Sequence, residues 1–231
     1  MFRKNHDDHW IPLADLMTGL MIIFLLIAVI LIGQMRQQIS HNKHQLVSVK
    51  KVDSQPSLRF ALYRELDNQF KNDLPKWHAS IDEKNLSIQF LGPEVLFETG
   101  SAKLRPEFKQ ILADFFPRYL KIITQAKYLT SLRNIRIEGY SSSFWHGVSD
   151  VNQAYFLNMQ LSESRALETF RYLNTLDATG NVFNNMSLQS YQQFLRNYVI
   201  VSGLSSSHPV KSKEGLDDNE LSQRVEFKVG I

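Results

Sequence analysis

The feature that most constrains this chain is an apolar run over residues 10–32 that contains a single charged residue, Asp15. A helix of roughly 20 apolar residues spans about 30 Å, which is the thickness of the hydrocarbon core of a bilayer. The run therefore predicts a transmembrane helix over residues 10–33, with Trp10 at the interface and Pro12 in the first turn. An ionised carboxylate at that depth costs about 2.5 kcal/mol or more, so it is retained where it faces a partner, a cavity or an ion path. For this reason Asp15 is a candidate functional residue.

The length and composition leave room for one folded domain beside this helix. The chain has 231 residues, of which 43% are hydrophobic, and a domain of about 100–150 residues is a common size. Cysteine is absent, which excludes disulfides and thiolate chemistry. The net charge is +3 without a block of lysine and arginine, which argues against a nucleic-acid partner. Because no Ser-His-Asp order or zinc-ligand cluster stands out, we expect neither an enzyme nor a bound cofactor.

The sequence predicts four parts: a polar tail over 1–9, the membrane helix over 10–33, a linker over 34–55 and a folded domain over 56–231. Apolar residues and one asparagine recur through the linker at alternating spacings of three and four, which is typical of a two-stranded coiled coil and predicts a homodimer. A flexible linker with chance spacing is the alternative. The residues of this seam are Ile32, Met35, Ile39, Asn42, Leu46 and Val49. The count of flanking basic residues mildly favours a cytoplasmic location for the part that follows the helix.

Within residues 56–231, strand and helix patterns alternate, so we predict an α/β domain with helices packed on one sheet, an α+β sandwich. The predicted helices are Pro56–Leu74, Pro106–Tyr128, Leu157–Leu176 and Leu188–Leu195. The predicted strands are Lys84–Leu91, Val95–Phe97, Asn134–Gly139, Tyr198–Ser202 and Arg224–Val229.

Four segments in this domain carry a resemblance to a known family. They are Leu96–Pro106, Ile135–Tyr140, Asn158–Ala166 and Gln223–Phe227, and the third matches the pattern Asn-x-x-Leu-Ser-x-x-Arg-Ala. In this order they resemble the OmpA-like peptidoglycan-binding domain. The resemblance implies that residues 85–231 bind a peptidoglycan stem peptide that ends in a diamino acid.

The resemblance also implies the residues that hold this ligand. Arg165 would clamp the ligand carboxylate, with Asn158 and Leu161 on the same helix face. The family normally supplies an aspartate for the ligand ammonium in a turn that here reads Gly139-Tyr-Ser-Ser142, so Ser142 takes the place of that aspartate. The loop that follows is longer than usual by roughly eight residues, and Asp150 within it is a candidate replacement. A helix-surface arginine and a helix-capping asparagine are the alternative interpretations of Arg165 and Asn158.

The membrane segment resembles a second group, the B-type subunits of ion-driven stators such as MotB and PomB. Their signature Ala-Asp-x-Met-Thr is present as Ala14-Asp15-Leu16-Met17-Thr18. The resemblance implies that Asp15 carries the transported proton or Na⁺. Thr18 lies one turn away on the same face, where it would assist the carboxylate or bond to a helix carbonyl.

The stator resemblance further implies the partners and the membrane topology. The partners would be a MotA-like subunit, in five copies around two B chains, and peptidoglycan. In a bacterial inner membrane the N-terminus would be cytoplasmic and the C-terminal domain periplasmic. This orientation is opposite to the one that the count of flanking basic residues favours.

In three features this chain resembles the B subunits of the Zorya antiphage defence system more than it resembles motility stators. This resemblance implies a ZorA-type membrane subunit as the partner. The N-terminal tail is short, and the domain is enlarged between Gly139 and Asn158 and again between Leu176 and Tyr198. The alternatives are a flagellar-type motility stator and a passive anchor that ties the membrane to peptidoglycan.

Overall fold

The computed structural model describes residues 56–176, 187–212 and 214–231, together with Met21. The chain divides into two compact units, Met1–Ser54 and Gln55–Ile231, and apart from Met21 the described residues belong to the second. The predicted transmembrane helix, with Asp15 and Thr18, and the heptad seam lie outside the described residues. In the described part of the chain, no helix combines the length and the apolar character needed to cross a membrane.

The domain is built on one five-stranded sheet. In chain order its strands are β1 (Ala79–Asp82), β2 (Ser87–Leu91), β3 (Asn134–Gly139) and β4 (Val199–Gly203), and a later strand, β7 (Arg224–Gly230), lies in the middle of the sheet. The spatial order is β1-β2-β7-β3-β4, with β3 and β4 parallel and all other pairs antiparallel. A separate two-stranded hairpin, β5 (Val210–Lys211) and β6 (Asp217–Asp218), precedes β7.

The helices cover one face of this sheet. They are α1 (56–70), α2 (Pro93–Leu96), α3 (Pro106–Ile123), α4 (Ala126–Leu129), α5 (Val151–Thr175) and α6 (Leu188–Tyr198). Apolar residues of α1, α3, α5 and α6 share a single core with the inward side chains of the strands. This two-layer arrangement confirms the predicted α+β sandwich.

Aromatic rings fill the centre of the core. Phe115 of α3 is fully buried, and its ring centroid lies 5.2 Å from that of Phe70, 5.0 Å from Phe90 and 5.1 Å from Phe227. These partners come from α1, β2 and β7, so one side chain joins three elements that are distant in the sequence. Contacts of this kind contribute beyond the area they bury.

The predicted strand Val95–Phe97 is wrong. Gly92 has a φ of +82°, and Pro93 then starts the helical turn α2, so only Phe97 is extended and it pairs with Leu104 as an isolated bridge. Three apolar residues are too few to distinguish a strand from a helical turn, whereas Gly-Pro is a strong local signal.

Several predicted bounds also shift. The helix predicted to end at Tyr128 breaks into α3 and α4 around Thr124, and α5 begins at Val151, six residues before the predicted start. Asp150 caps α5 by accepting a hydrogen bond from the Gln153 backbone N–H at 2.9 Å. The sequence does not predict β1, because its four residues are all half-buried and show no clear alternation.

Two glycines set the distance between α5 and the sheet. A Cβ atom on Gly139 would lie 2.1 Å from the carbonyl oxygen of Ser162, and one on Gly203 would lie 2.4 Å from the backbone nitrogen of Glu163. Both glycines end parallel strands, β3 and β4, directly beneath α5. Only glycine allows this close approach, which fixes the position of the side chains that α5 carries.

Candidate functional site

The central residue of the candidate site is Arg165, in the middle of α5. It is 4% exposed, and no carboxylate of the described residues lies within salt-bridge distance of it. Burial lowers its pKa to about 10, so the guanidinium remains protonated at neutral pH. A buried charge that lacks a counter-ion is costly, which makes this position suited to an anionic ligand.

The loop that joins α2 to α3 holds the guanidinium in place. Arg165 Nε donates to the carbonyl of Ser101 at 3.1 Å, and the guanidinium carbon lies 4.9 Å from the centroid of the Phe97 ring. With Nε engaged, both Nη atoms lack a hydrogen-bond partner among the described residues. These two Nη atoms form the outer edge of the planar guanidinium, which can bind a carboxylate with two parallel hydrogen bonds.

Asn158 lies two turns before Arg165 and organises a second loop. It is 2% exposed, and its Nδ2 donates to the carbonyl of Phe144 at 3.1 Å. Its own backbone carbonyl accepts from Ser141 Oγ at 3.3 Å. Asn158 therefore joins α5 to the loop that follows β3, and the helix-cap alternative does not describe it.

The other predicted site residues fall into two groups. Leu161 is half-buried between Asn158 and Arg165 on the same face of α5, and Ser142 Oγ donates to the carbonyl of Phe144 at 3.1 Å. Ser142 therefore lies in the loop to which Asn158 Nδ2 donates. Asp150 is the N-cap of α5, fifteen residues before Arg165, which corresponds to about 22 Å along the helix axis. Its role as a replacement for the family aspartate stays a prediction, as do the ligand roles of the others.

Two residues of the site, Phe97 and Ser101, are not recognisable from the sequence alone. Both belong to the Leu96–Pro106 segment that carries the family resemblance, yet nothing in their local pattern assigns them a role. The hydrogen bond from Arg165 to Ser101 spans 64 residues of sequence, so only the folded chain reveals it.

The arrangement as a whole is suited to binding an anion. Its cation is fixed by one hydrogen bond and one aromatic ring, and Asn158 and Ser141 tie the neighbouring loop to the same helix. Among the described residues no group of three or more His, Cys, Asp or Glu side chains is placed to hold a metal ion. Asp15 and Thr18, the predicted ion-carrying residues, lie outside the described residues.

Comparison with solved structures finds partial likenesses. The cell wall anchor of the type VI secretion system from Pseudomonas aeruginosa is 19% identical, with 71% of this chain and 96% of that chain covered and a TM-score of 0.45. A putative MotB-like protein from Desulfovibrio vulgaris is 20% identical, with 74% and 90% covered and a TM-score of 0.46. No family model matches the chain.

Two curated proteins match over nearly the whole chain. The Zorya protein ZorB from Escherichia coli strain ATCC 8739 is 36% identical over 228 residues, which are 98% of this chain and 90% of that protein. The Zorya protein ZorB from Escherichia coli O139:H28 strain E24377A is 25% identical over 232 residues, which cover 98% and 84%. With more than a third of its residues identical across almost its full length to the first of these, the chain belongs to the family of the Zorya protein ZorB.

Proposed function

We propose that this chain is the peptidoglycan-binding B subunit of an ion-driven motor complex of the bacterial inner membrane, and that the complex serves antiphage defence. The observation that carries the proposal is Arg165, a buried guanidinium without a carboxylate partner among the described residues. Membership of the ZorB family and the Ala14–Thr18 signature in an apolar run support the rest.

The wall-binding half of the proposal rests on the chemistry of the stem peptide. Its diamino acid presents a carboxylate, which can accept two parallel hydrogen bonds from the free Nη atoms of Arg165. The ammonium of the same diamino acid needs an acceptor, and Ser142 Oγ, at the position of the family aspartate, is a neutral one. Neutral acceptors hold an ammonium less strongly than an aspartate, so we expect weaker binding than in a domain that keeps the aspartate.

The membrane half rests on Asp15 within the predicted transmembrane helix. Burial raises the pKa of a carboxylic acid, while access to water or a cation lowers it, so alternating access would load and release one ion. Each charge that crosses yields about 2.3 kcal/mol per 100 mV. Thr18 assists Asp15, and the path itself is completed by a MotA-like (ZorA-type) subunit, in five copies around a homodimer of this chain joined through residues 34–55.

Purified full-length chain mixed with isolated peptidoglycan sacculi tests the wall-binding half. We expect Arg165→Ala to reduce the fraction that sediments with sacculi at least tenfold, because a charge-assisted bidentate contact is lost. The matched control is Arg196→Ala, at an exposed arginine on α6, which should sediment like the wild type. Wild-type retention of the Arg165→Ala chain would overturn peptidoglycan binding at this site.

The efficiency of phage plating on cells with the complete defence operon tests the membrane half. We expect Asp15→Asn to abolish protection while the protein level, read by immunoblot, stays normal. The Asp15→Glu chain keeps an ionisable group and serves as the comparison. If cells that carry the Asp15→Asn chain are still fully protected from phage, the ion-motor proposal is wrong and the chain is a passive wall anchor. If loss of the chain impairs swimming but not phage resistance, it is a motility stator.

A further inference from the structure

A groove runs along α5 beyond Arg165, on the side of its C-terminal half. Its volume is about 700 Å³, within the range of small-ligand sites. The walls come from three separate segments: residues 101–104, the first turn of α3 and the last two turns of α5. The Tyr172 hydroxyl donates to the carbonyl of Lys109 at 3.0 Å, so α3 and α5 are held together across the groove.

The groove is contiguous with the Arg165 site. Ser101 lines it, and the carbonyl of the same residue accepts the hydrogen bond from Arg165 Nε. Glu168 and Tyr172 also line it, and they lie one and two turns after Arg165 on the same face of α5. A ligand with one anionic group on Arg165 therefore has a direct continuation into this groove.

Positive charge dominates the lining. Three cations, Lys103, Lys109 and Arg171, face one carboxylate, Glu168. Arg171 is paired with Glu168 at 2.5 Å, and Lys103 is paired with Glu98 at 2.7 Å. Both pairs are largely exposed, and such pairs hold their partners weakly, so an incoming carboxylate competes for the cations.

Lys109 has no carboxylate partner within the described part of the chain. Its Nζ lies 5.9 Å from the centroid of the Tyr172 ring, which leaves its hydrogen-bond donors directed to solvent or to a ligand. Lys109 is an exposed cation that lines the groove, whereas the buried Arg165 lies outside the lining and contacts it through Ser101. Two cations that have no carboxylate partner among the described residues suit a ligand with two separated carboxylates.

We infer that this groove binds a second carboxylate of the peptidoglycan stem peptide, the free α-carboxylate of the γ-linked glutamate that precedes the diamino acid. The inference rests on the proposed function, because it takes the diamino acid to be held by Arg165. Lys109 makes the main contact, and Lys103 and Arg171 supplement it. The site thus distinguishes stem peptides in which this carboxylate is free from those in which it is amidated.

Calorimetric titration of the purified full-length chain tests this with three probes. They are free diaminopimelate, the tripeptide L-Ala-γ-D-Glu-diaminopimelate, and the same tripeptide with the glutamate α-carboxylate amidated. We expect the wild type to bind the free-acid tripeptide about three- to tenfold more tightly than the amidated one. Lys109→Gln should remove this preference and leave the affinity for diaminopimelate unchanged. Lys121→Gln, at an exposed lysine on another face of α3, is the matched control and should keep the preference.

The outcomes separate this inference from the proposed function. If the wild type binds both tripeptides equally, or if the Lys109→Gln chain keeps the preference, the groove does not bind the glutamate carboxylate. Loss of all binding in the Arg165→Ala chain would still support the wall-binding site in that case. If the wild type binds none of the three probes, the proposed stem-peptide site and the groove are both wrong. Loss of diaminopimelate binding in Lys109→Gln would also contradict the inference, because Lys109 would then act on the Arg165 subsite.

Discussion

Two buried arginines on opposite faces of the sheet have opposite surroundings. Arg224, at the start of β7, is 6% exposed and donates from Nε to Glu226 at 2.6 Å, while Nη1 donates to the carbonyls of His208 and Ser222. Its guanidinium carbon lies 3.7 Å from the centroid of the Tyr140 ring. Arg165 has the same aromatic support from Phe97 and one backbone carbonyl, but no carboxylate among the described residues.

The difference assigns each arginine a role. On the polar face of the sheet around Arg224, both buried carboxylates have cationic partners: Glu226 pairs with Arg224, and Glu138 pairs with Arg136 at 2.9 Å and Lys228 at 3.2 Å. Burial, with the neighbouring charge of Glu226 and the hydrogen bond to Glu138, raises the pKa of the Tyr140 hydroxyl, which therefore stays protonated as a donor. A satisfied charge stabilises the fold, whereas the unsatisfied one at Arg165 is available to a ligand.

The largest expected effect is on stability, from Arg224→Met. This change leaves Glu226 buried without its cation, so we expect the free energy of unfolding to fall by about 3–5 kcal/mol. The same change at Arg165 should cost less than about 1 kcal/mol, because no buried carboxylate loses its partner there. Urea unfolding of the full-length chain, followed by tryptophan fluorescence, measures both. Equal losses of unfolding free energy in the two variants would show that the carboxylate partner does not distinguish the two arginines.

The next effect concerns the position of α5 against β3. Gly139→Ala places a Cβ 2.1 Å from the Ser162 carbonyl oxygen, so the helix must move and we expect a loss of about 1–3 kcal/mol in unfolding free energy. Sacculi binding should fall with it, because the same helix carries Arg165. Gly215→Ala is the control: its added Cβ meets no atom within 4 Å, and only its φ of +81° is unfavourable. Wild-type sacculi binding by Gly139→Ala would show that the site tolerates a displaced helix.

A smaller effect is expected from Phe97→Leu, which removes the ring beside the guanidinium. Cation–π contacts contribute about 0.5 kcal/mol when exposed and about 2 kcal/mol when desolvated, and Phe97 and Arg165 are both buried, so sacculi binding should weaken between about twofold and thirtyfold. Phe108→Leu is the matched control, because its ring packs on Phe97 at 5.8 Å and has no contact with a guanidinium. If both variants bind alike, the ring of Phe97 serves packing and does not position Arg165.

The smallest effect is the response to pH across the neutral range. Because burial lowers the pKa of Arg165 only to about 10, the guanidinium keeps its proton from pH 6 to 9 and sacculi binding should be constant there. Binding should fall as the pH rises past about 10, and a bound carboxylate, which favours the charged form, moves this loss to higher pH. A sedimentation series across pH 6–11 measures it. A midpoint between pH 6 and 9 would show that another group controls binding.

Much of the fold follows from periodicity that is visible in the sequence. Ile88 and Phe90 alternate with polar residues in β2, and Phe108, Leu112, Phe115 and Phe116 recur at helical spacing in α3, and all are buried. The bounds were less predictable where capping and turn chemistry decide them. Asp150 starts α5 earlier than the apolar pattern indicates, because exposed Val151 and Phe156 in the first turns hide the period.

The candidate site was only partly predictable for a related reason. The family motif identified Arg165, Asn158 and Leu161, which share a face of α5 because their spacings are four and three. It did not identify Phe97, Ser101 or Lys109, since these meet α5 through tertiary contacts that cross more than 60 residues.

The sequence by itself determined four of the five strands of the main sheet and its long helices, the apolar run that surrounds Asp15, and the arginine motif, because each depends on neighbours within a few residues. Only the tertiary structure decided which arginine is neutralised and which is not. Arg165 and Arg224 are the same residue type with similar burial, and their difference lies in whether the fold brings a carboxylate to the guanidinium. That outcome depends on the register of β7 and on the packing of α5 over Gly139, which local sequence patterns do not encode.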